Sequence, residues 1–204
     1  SMKVLFLTVI IFSSVVGLAV VFILEVMRSG IRNFEDIRKF GYKPLGIMPD
    51  VPSPIYVASS PQNSGYKEAL KRIYMTGLLS AEGQSILVTS ALPKEGRTTF
   101  TMSMAHYMRS IGHSVLVIDA DFMNPAISFS EGNVKAAGFT DYLAGQVELS
   151  DIITKNDAGL YIIKAGRQQL PSPDILRSDR FSNMMEELKK QYGLLSSNQN
   201  LFVL

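Results

Sequence analysis

The feature that most constrains this chain is an uncharged, apolar run near its start. Residues 4–24 carry no charge and are rich in Val, Ile, Leu and Phe. A helix of that length is about 30 Å long, which matches the hydrocarbon core of a bilayer. Residues 1–27 are therefore predicted to form a transmembrane helix.

The charges that flank this run predict its orientation. Only Lys3 precedes it, whereas five basic residues follow, namely Arg28, Arg32, Arg38, Lys39 and Lys43. The positive-inside rule then places the bulk of the chain in the cytoplasm. A cleaved signal peptide is the competing interpretation. The length of the run and the lack of a small-x-small cleavage site before Glu25 favour the membrane anchor.

Composition excludes several classes of protein. Hydrophobic residues make up 47% of the 204 residues, so the chain can bury a core. It has no cysteine, which excludes disulfide scaffolds, Cys-based zinc sites and cysteine nucleophiles. A formal net charge of +2 is too balanced to predict nucleic acid as the main partner.

Residues 28–64 read as a connecting segment. Ile31, Phe34, Ile37 and Phe40 have the spacing of one helical face, which predicts a short amphipathic helix over 31–40. Prolines recur through 44–54, and they predict an extended linker because proline does not continue a helix.

From residue 65 to 204 strand and helix patterns alternate. Helices are predicted over 67–79, 98–111 and 179–191, and strands over 85–89, 114–118 and 160–164. This alternation is typical of a parallel sheet covered by helices on both faces, which is an α/β fold. The methionines at helical spacing are expected in the core, and they are Met102, Met104, Met108, Met184 and Met185. His106 and His113 are expected at the surface rather than as ligands.

The segment between the first strand and its helix has the context of a phosphate-binding loop. Such a loop presents backbone N–H groups and a helix N-terminus to an anion. Compared with G-x-x-x-x-G-K-[ST], the sequence keeps Gly96 and Thr98 but has Ala91 and Arg97 at the other two positions. An ordinary β–α turn remains the alternative on this segment alone.

Asp119 and Asp121 follow the second strand. The carboxyl ends of parallel strands are where open α/β sheets bind ligands, and paired carboxylates can hold Mg²⁺ or its waters. Alternatively, Asp119 caps the strand and Asp121 begins a turn into Asn124 and Pro125. Together with the loop, the pair favours a nucleotide–Mg²⁺ site.

At these residues the chain resembles the bacterial tyrosine kinases (BY-kinases) of the polysaccharide co-polymerase family. The similarity runs from about residue 17 to 192, with its pieces in the family's order. Those pieces include GYKPLGIMPDVP, EALKRIYMTGLL, VTSALPKEGRTTF, VLVIDADFMNP, GFTDYLAG and PSPDILRSDRF.

The resemblance implies a P-loop fold of the deviant-Walker type that uses ATP and Mg²⁺ and phosphorylates its own tyrosines. It implies ring-like self-association through the helix of Glu68, and work with the polysaccharide polymerase and export machinery at the membrane. The implied phosphate-binding residues are Lys94, Glu95, Gly96, Arg97, Thr98 and Thr99. The implied metal-binding residues are Thr98, Asp119 and Asp121, and the implied catalytic residues are Asp119, Asp121 and Arg97.

The chain departs from the family pattern at several of these positions. The family's P-G-E-G-K is Pro-Lys-Glu-Gly-Arg here, so Lys94 stands at a glycine position and Arg97 replaces the phosphate-binding lysine. At two positions where the family has arginine, this sequence has Tyr74 and Met123. These changes predict a loss of activity. The alternative is that Lys94 or Arg97 still supplies the positive charge, in another geometry.

The family's third acidic motif, an apolar strand ending in Asp-x-Pro-Pro, is not reached by Leu204. Residues 201–204 are expected either to begin that strand or to belong to an unrelated tail. The C-terminal strands of the sheet are therefore expected to be missing. A degenerate, non-catalytic scaffold or a truncated remnant of a polysaccharide co-polymerase is the alternative to a kinase domain.

Overall fold

The computed structural model describes residues 2–27, 34–50, 64–79, 85–125, 127, 136–167, 176–191 and 199–203. Residues 1–44 and 45–204 form two separate compact units. Predictions that concern residues 31 and 51–54 lie outside the described residues.

Helix α1, Met2–Met27, matches the predicted membrane span. Its segment Met2–Glu25 has a mean hydropathy of 2.8 and is the one helix among the described residues that is long and apolar enough to cross a membrane. Its hydroxyl groups are satisfied within the helix. Thr8 donates to the Leu5 carbonyl at 2.8 Å, and Ser14 donates to the Ile10 carbonyl at 2.9 Å. Lipid offers no partner for such groups, so this arrangement suits a bilayer.

The described part of the predicted amphipathic helix ends one residue earlier than expected. Helix α2 covers Phe34–Lys39, with acidic residues in its first turn and basic residues in its last, as the helix dipole favours. Residues 43–50 form neither helix nor strand, as their prolines predict. Within the second unit, Leu45 and Met48 pack against the core. This stretch is therefore part of the α/β unit rather than a free linker.

The described strands of the second unit form one five-stranded sheet in the order β1-β5-β2-β4-β3. Their bounds are Ser85–Leu87, Ser114–Ile118, Ile153–Lys155, Tyr161–Ile163 and Gln199–Val203 for β1 to β5. All pairings are parallel except that of β3 with β4. The α/β fold is confirmed, with one antiparallel edge. Of the two alternatives for the residues near the C-terminus, the structure has the strand: β5 lies between β1 and β2.

Strand β2 separates two hydrophobic layers. Val115 and Val117 pack on one face with α4, Arg97–Ser110, whereas Leu116 and Ile118 pack on the other. Side chains alternate across a strand, so an all-apolar strand must be covered on both faces. The second face is covered by α5, Phe139–Leu143, α6, Leu149–Ile152, and α7, Asp179–Gln191. Met102, Met104, Met108 and Met184 are buried as predicted, and Met185 is partly buried.

The surface prediction for His113 is wrong. Helix α3, Ser64–Ile73, continues into a π-helical turn, Tyr74–Leu78, that holds Tyr74 inside the unit. The Tyr74 hydroxyl lies 2.9 Å from Nε2 of the buried His113. The imidazole can be buried because the tyrosine satisfies one of its nitrogens. His106 is partly buried.

A buried carboxylate joins α5 to the end of β4. Asp141 Oδ2 accepts hydrogen bonds from the backbone N–H groups of Gly138 at 2.9 Å and Arg167 at 3.0 Å. The Arg167 guanidinium donates to Oδ1 at 3.2 Å. A Cβ at Gly138 would collide with the Lys164 carbonyl oxygen, so glycine is required for this approach. The junction matters for the site because Phe139 of α5 packs on Phe122, with ring centroids 5.6 Å apart.

The charge of Asp141 should make the unit sensitive to acid. Burial alone raises the pKa of Asp141, but its backbone hydrogen bonds and Arg167 outweigh burial and lower the pKa below its ordinary value of 3.8. A lowered pKa contributes stability that is present above the unfolded value and is lost as pH falls through the folded value. Asp141→Asn should lower the free energy of unfolding at pH 7 by about 2 kcal/mol and flatten its decline in acid, measured by urea denaturation.

Asp151→Asn is the matched control, because the exposed Asp151 also accepts a hydrogen bond at a helix N-terminus, from Glu148 N–H at 3.1 Å. Asp151→Asn should lower the free energy of unfolding clearly less than Asp141→Asn does. Equal losses in the two variants, or an unchanged acid decline in Asp141→Asn, would contradict this role.

Candidate functional site

The loop between β1 and α4 is shaped by its own side chains. The Ser90 hydroxyl donates to the Leu92 carbonyl at 2.9 Å, and the Leu92 N–H donates to Glu95 Oε2 at 3.1 Å. The Glu95 side chain therefore fixes the loop rather than standing free in it. A loop held in this way needs little reorganisation when a ligand arrives.

Two residues of the loop adopt left-handed backbone conformations. Gly96 has φ of +85° and Lys94 has φ of +67°. Among the described residues, Lys94 is the one non-glycine with a positive φ. The loop thus keeps the conformation that a glycine would supply, although the sequence has lysine there, and the Cβ of Lys94 makes this costly.

Helix α4 begins directly after the loop with no side-chain cap, because its N-cap residue is Gly96. Its first turn contains Arg97, Thr98 and Thr99, all partly buried, and no acidic residue. The first N–H groups of a helix have no partner within the helix, and its dipole favours a negative charge there. This end of α4 is therefore suited to an anion.

Asp119 and Asp121 lie at the carboxyl end of β2, as predicted. Asp119 is 1% exposed, and its N–H extends the ladder to β4 by donating to the Ile163 carbonyl at 2.9 Å. Asp121 N–H donates to Asp119 Oδ1 at 3.3 Å, and Asp121 Oδ1 accepts from Asn124 N–H at 3.0 Å. Asp121 thus begins a turn toward Asn124, which was the alternative interpretation of this residue from the sequence.

An ion pair joins the loop to the end of β2. Arg97 Nη2 lies 2.8 Å from Asp121 Oδ2, and their side chains are 31% and 20% exposed. Because the pair spans 24 residues of sequence, only the parallel arrangement of β1 and β2 about β5 brings it together. The structure therefore brings the predicted loop into contact with Asp121, while Asp119 is joined to Asp121 by a hydrogen bond.

A cavity of about 790 Å³ opens beside the loop. This volume is typical of small-molecule sites. Lys94, Glu95, Gly96, Arg97 and Thr99 line it, together with residues that the sequence did not single out, namely Met48, Pro49, Asp50, Tyr66 and Phe100. Met48 to Asp50 belong to the proline-containing stretch. Its sequence has no helical or strand periodicity that would predict its packing on this unit.

The oxygen donors at this edge of the sheet suit a hard cation only if a bound ligand supplies further oxygen atoms. The Thr98 hydroxyl and the carboxylates of Asp119 and Asp121 are oxygen donors of the kind that Mg²⁺ prefers. Within the described ranges, no group of three or more His, Cys, Asp or Glu residues is positioned to hold a metal by itself. Mg²⁺ commonly completes its shell with substrate phosphates and water, so the residues fit a phosphate-bound Mg²⁺.

The remaining predicted positions lie on exposed surfaces or in the core. Glu68 is exposed on α3 beside the exposed basic residues Lys67, Lys71 and Arg72. Met123, at a position where the resemblance implies arginine, is exposed. Tyr74, at the other such position, is buried against His113 and Tyr107.

Comparison with known proteins finds tyrosine kinases. The chain is 32% identical over 112 residues to the tyrosine-protein kinase CpsD of Streptococcus pneumoniae, covering 54% of this chain and 49% of CpsD. It is 26% identical over 147 residues to the tyrosine-protein kinase etk of Escherichia coli K12, covering 70% of this chain and 20% of etk. The chain thus spans about half the length of CpsD and less of etk. No protein-family model matches it.

The fold is also that of a solved kinase domain. The kinase domain of Escherichia coli tyrosine kinase ETK superposes with a TM-score of 0.71 at 20% identity, covering 85% of this chain and 73% of that domain. At this identity the similarity shows the fold.

The left-handed Lys94 gives a direct test of the loop's geometry. Lys94→Gly should raise the free energy of unfolding by about 1 kcal/mol, because glycine adopts this φ without strain. Lys94→Ala removes the charge but keeps the Cβ, so it should give no such gain. Urea denaturation of both variants measures the difference, and a gain shared by Lys94→Ala would assign the effect to charge instead.

Proposed function

We propose that the α/β unit of this chain, which is similar to bacterial tyrosine kinases in sequence and fold, is a membrane-anchored, tyrosine-kinase-like domain that binds ATP with Mg²⁺. In this proposal the domain serves the synthesis and export of capsule or another exopolysaccharide. Residues 1–27 anchor it, residues 28–64 connect the anchor, and residues 65–204 carry the nucleotide-binding unit, with Met48 to Asp50 contributing to its cavity.

The observation that carries the proposal is the Arg97–Asp121 ion pair. The pair joins the first residue of α4 to Asp121, which follows β2. A nucleotide–Mg²⁺ site needs both halves, because the phosphates take the helix N-terminus and the cation takes the carboxylates. A β–α turn with no ligand has no need of the second half.

Roles for the individual residues follow from their positions. The backbone of the loop and of the first turn of α4 binds the phosphates, through Lys94, Glu95, Gly96, Arg97, Thr98 and Thr99. The Thr98 hydroxyl and the carboxylates of Asp119 and Asp121 hold Mg²⁺, directly or through its water. When bound, Mg²⁺ neutralises charge on the phosphates.

The catalytic assignment concerns Asp119, Asp121 and Arg97. Asp119 would help to hold the metal and to orient the attacking tyrosine hydroxyl. Arg97 would supply positive charge where the transferring phosphoryl group accumulates negative charge. A guanidinium is larger than the ammonium of lysine and is not interchangeable with it in a tight cradle. Binding of nucleotide without phosphoryl transfer, as in a scaffold, is therefore the second candidate, and the engagement of Arg97 by Asp121 favours it.

The partners and the location belong to the same proposal. The helix of Glu68 exposes charges of both signs, which supports self-association through this surface. The apolar α1 and the basic residues after it support insertion in a bacterial inner membrane with the α/β unit in the cytoplasm. The polysaccharide polymerase and export machinery would be the partners there.

Calorimetric titration of Mg·ADP into the detergent-solubilised chain tests the binding. We expect saturable binding that Asp119→Asn weakens about tenfold or more, because the cation loses a charged oxygen ligand. Asp157→Asn is the matched control, since Asp157 is exposed in the turn between β3 and β4, and it should bind as the wild type does. Incubation with Mg·ATP, followed by detection of phosphotyrosine, separates the kinase from the scaffold.

Absence of Mg·ADP binding by the folded wild type would contradict the proposal. Equal weakening in the Asp119 and Asp157 variants would contradict the site.

A further inference from the structure

We propose that Arg97 couples the binding of the anion at this site to the binding of the divalent cation. In the unliganded chain Arg97 neutralises Asp121, and a phosphate group releases that carboxylate for the cation by drawing the guanidinium to itself. The inference rests on the proposed function, because the anion is taken to be the phosphate chain of a nucleotide.

Both carboxylate oxygens of Asp121 already have partners. Oδ2 pairs with Arg97 Nη2 at 2.8 Å, and Oδ1 accepts the Asn124 N–H at 3.0 Å. A cation that approached this carboxylate would meet the full positive charge of the guanidinium at the same oxygen. Like charges at that separation repel strongly in a partly desolvated site. The unliganded chain should therefore bind a divalent cation weakly.

Arg97 is placed so that an anion can compete for it. It is the first residue of α4, and the first turn of that helix has no side-chain cap. It also lines the cavity beside Lys94. Phosphate offers a guanidinium two parallel hydrogen bonds and more negative charge than one carboxylate does. The side chain is 31% exposed, so it can turn toward the cavity without disturbing the buried layers.

The release has a thermodynamic consequence for both ligands. If the anion frees Asp121, it must raise the affinity for the cation, and the cation must raise the affinity for the anion by the same factor. Removing Arg97 should separate the two events. The cation alone should then bind more tightly, whereas the anion alone should bind less tightly.

The test measures each ligand without the other on the full chain in detergent. Binding of Mn²⁺ alone is followed by its electron paramagnetic resonance signal, and binding of ADP alone is followed by calorimetry in EDTA. For Arg97→Gln we expect Mn²⁺ affinity to rise about fivefold or more and ADP affinity to fall about fivefold or more, within the usual range of coupling between sites. Arg109→Gln, an exposed arginine in the last turn of the same helix, should change neither.

A second variant tests the coupling from the carboxylate side and does not depend on the folding of the first. Asp121→Asn frees the guanidinium, so ADP in EDTA should bind severalfold more tightly than it does to the wild type. The double variant Arg97→Gln/Asp121→Asn should lose the gain in Mn²⁺ affinity. Melting curves verify that each protein is folded.

The outcomes separate the inference from the proposed function. If ADP binds the wild type but Arg97→Gln leaves Mn²⁺ affinity unchanged or lower, the coupling is wrong and the nucleotide site stands. If Asp121→Asn binds ADP in EDTA no better than the wild type does, the release is wrong. If ADP fails to bind the folded wild type with or without metal, the proposed function fails, and the release fails with it.

Discussion

The burial of β2 on both of its faces is the constraint on which the rest of the structure depends. Val115 and Val117 need the α4 side of the sheet, and Leu116 and Ile118 need the opposite layer. An apolar strand covered on both sides belongs in the interior of a parallel sheet, so its polar continuation falls at the carboxyl edge. Asp119 and Asp121 are that continuation, and Asp121 pairs with Arg97 at the end of the loop that follows β1.

At that edge the loop has the backbone conformation of a phosphate-binding loop, but its charged side chains differ from that pattern. Lys94 adopts the left-handed conformation of a glycine, and Gly96 still leaves the first turn of α4 uncapped. The positive charge at Arg97 is not left facing the cavity alone, because it pairs with Asp121. Arg97, which stands where the phosphate-binding loop pattern has lysine, therefore forms a contact between the loop and the segment after β2.

The sequence predicted the long, strongly patterned elements well. Strand β2 and helix α7 have the expected bounds, since a fully apolar strand and a 13-residue amphipathic helix leave little ambiguity. It missed α5, α6 and β3, which have three to five residues each and show no periodicity. The position of β5 between β1 and β2, the Arg97–Asp121 pair and the buried Tyr74–His113 contact are non-local, so no window of sequence reveals them.

Hydrogen exchange of backbone amides, measured by mass spectrometry on the full chain with and without Mg·ADP, tests the central claim most directly. The claim is that the loop and the end of β2 form one phosphate and cation site. Slower exchange is expected in peptides that cover residues 92–100 and 119–124, with peptides from β3 and α7 unchanged. Slower exchange confined to one of the two segments, or placed elsewhere in the α/β unit, would contradict it.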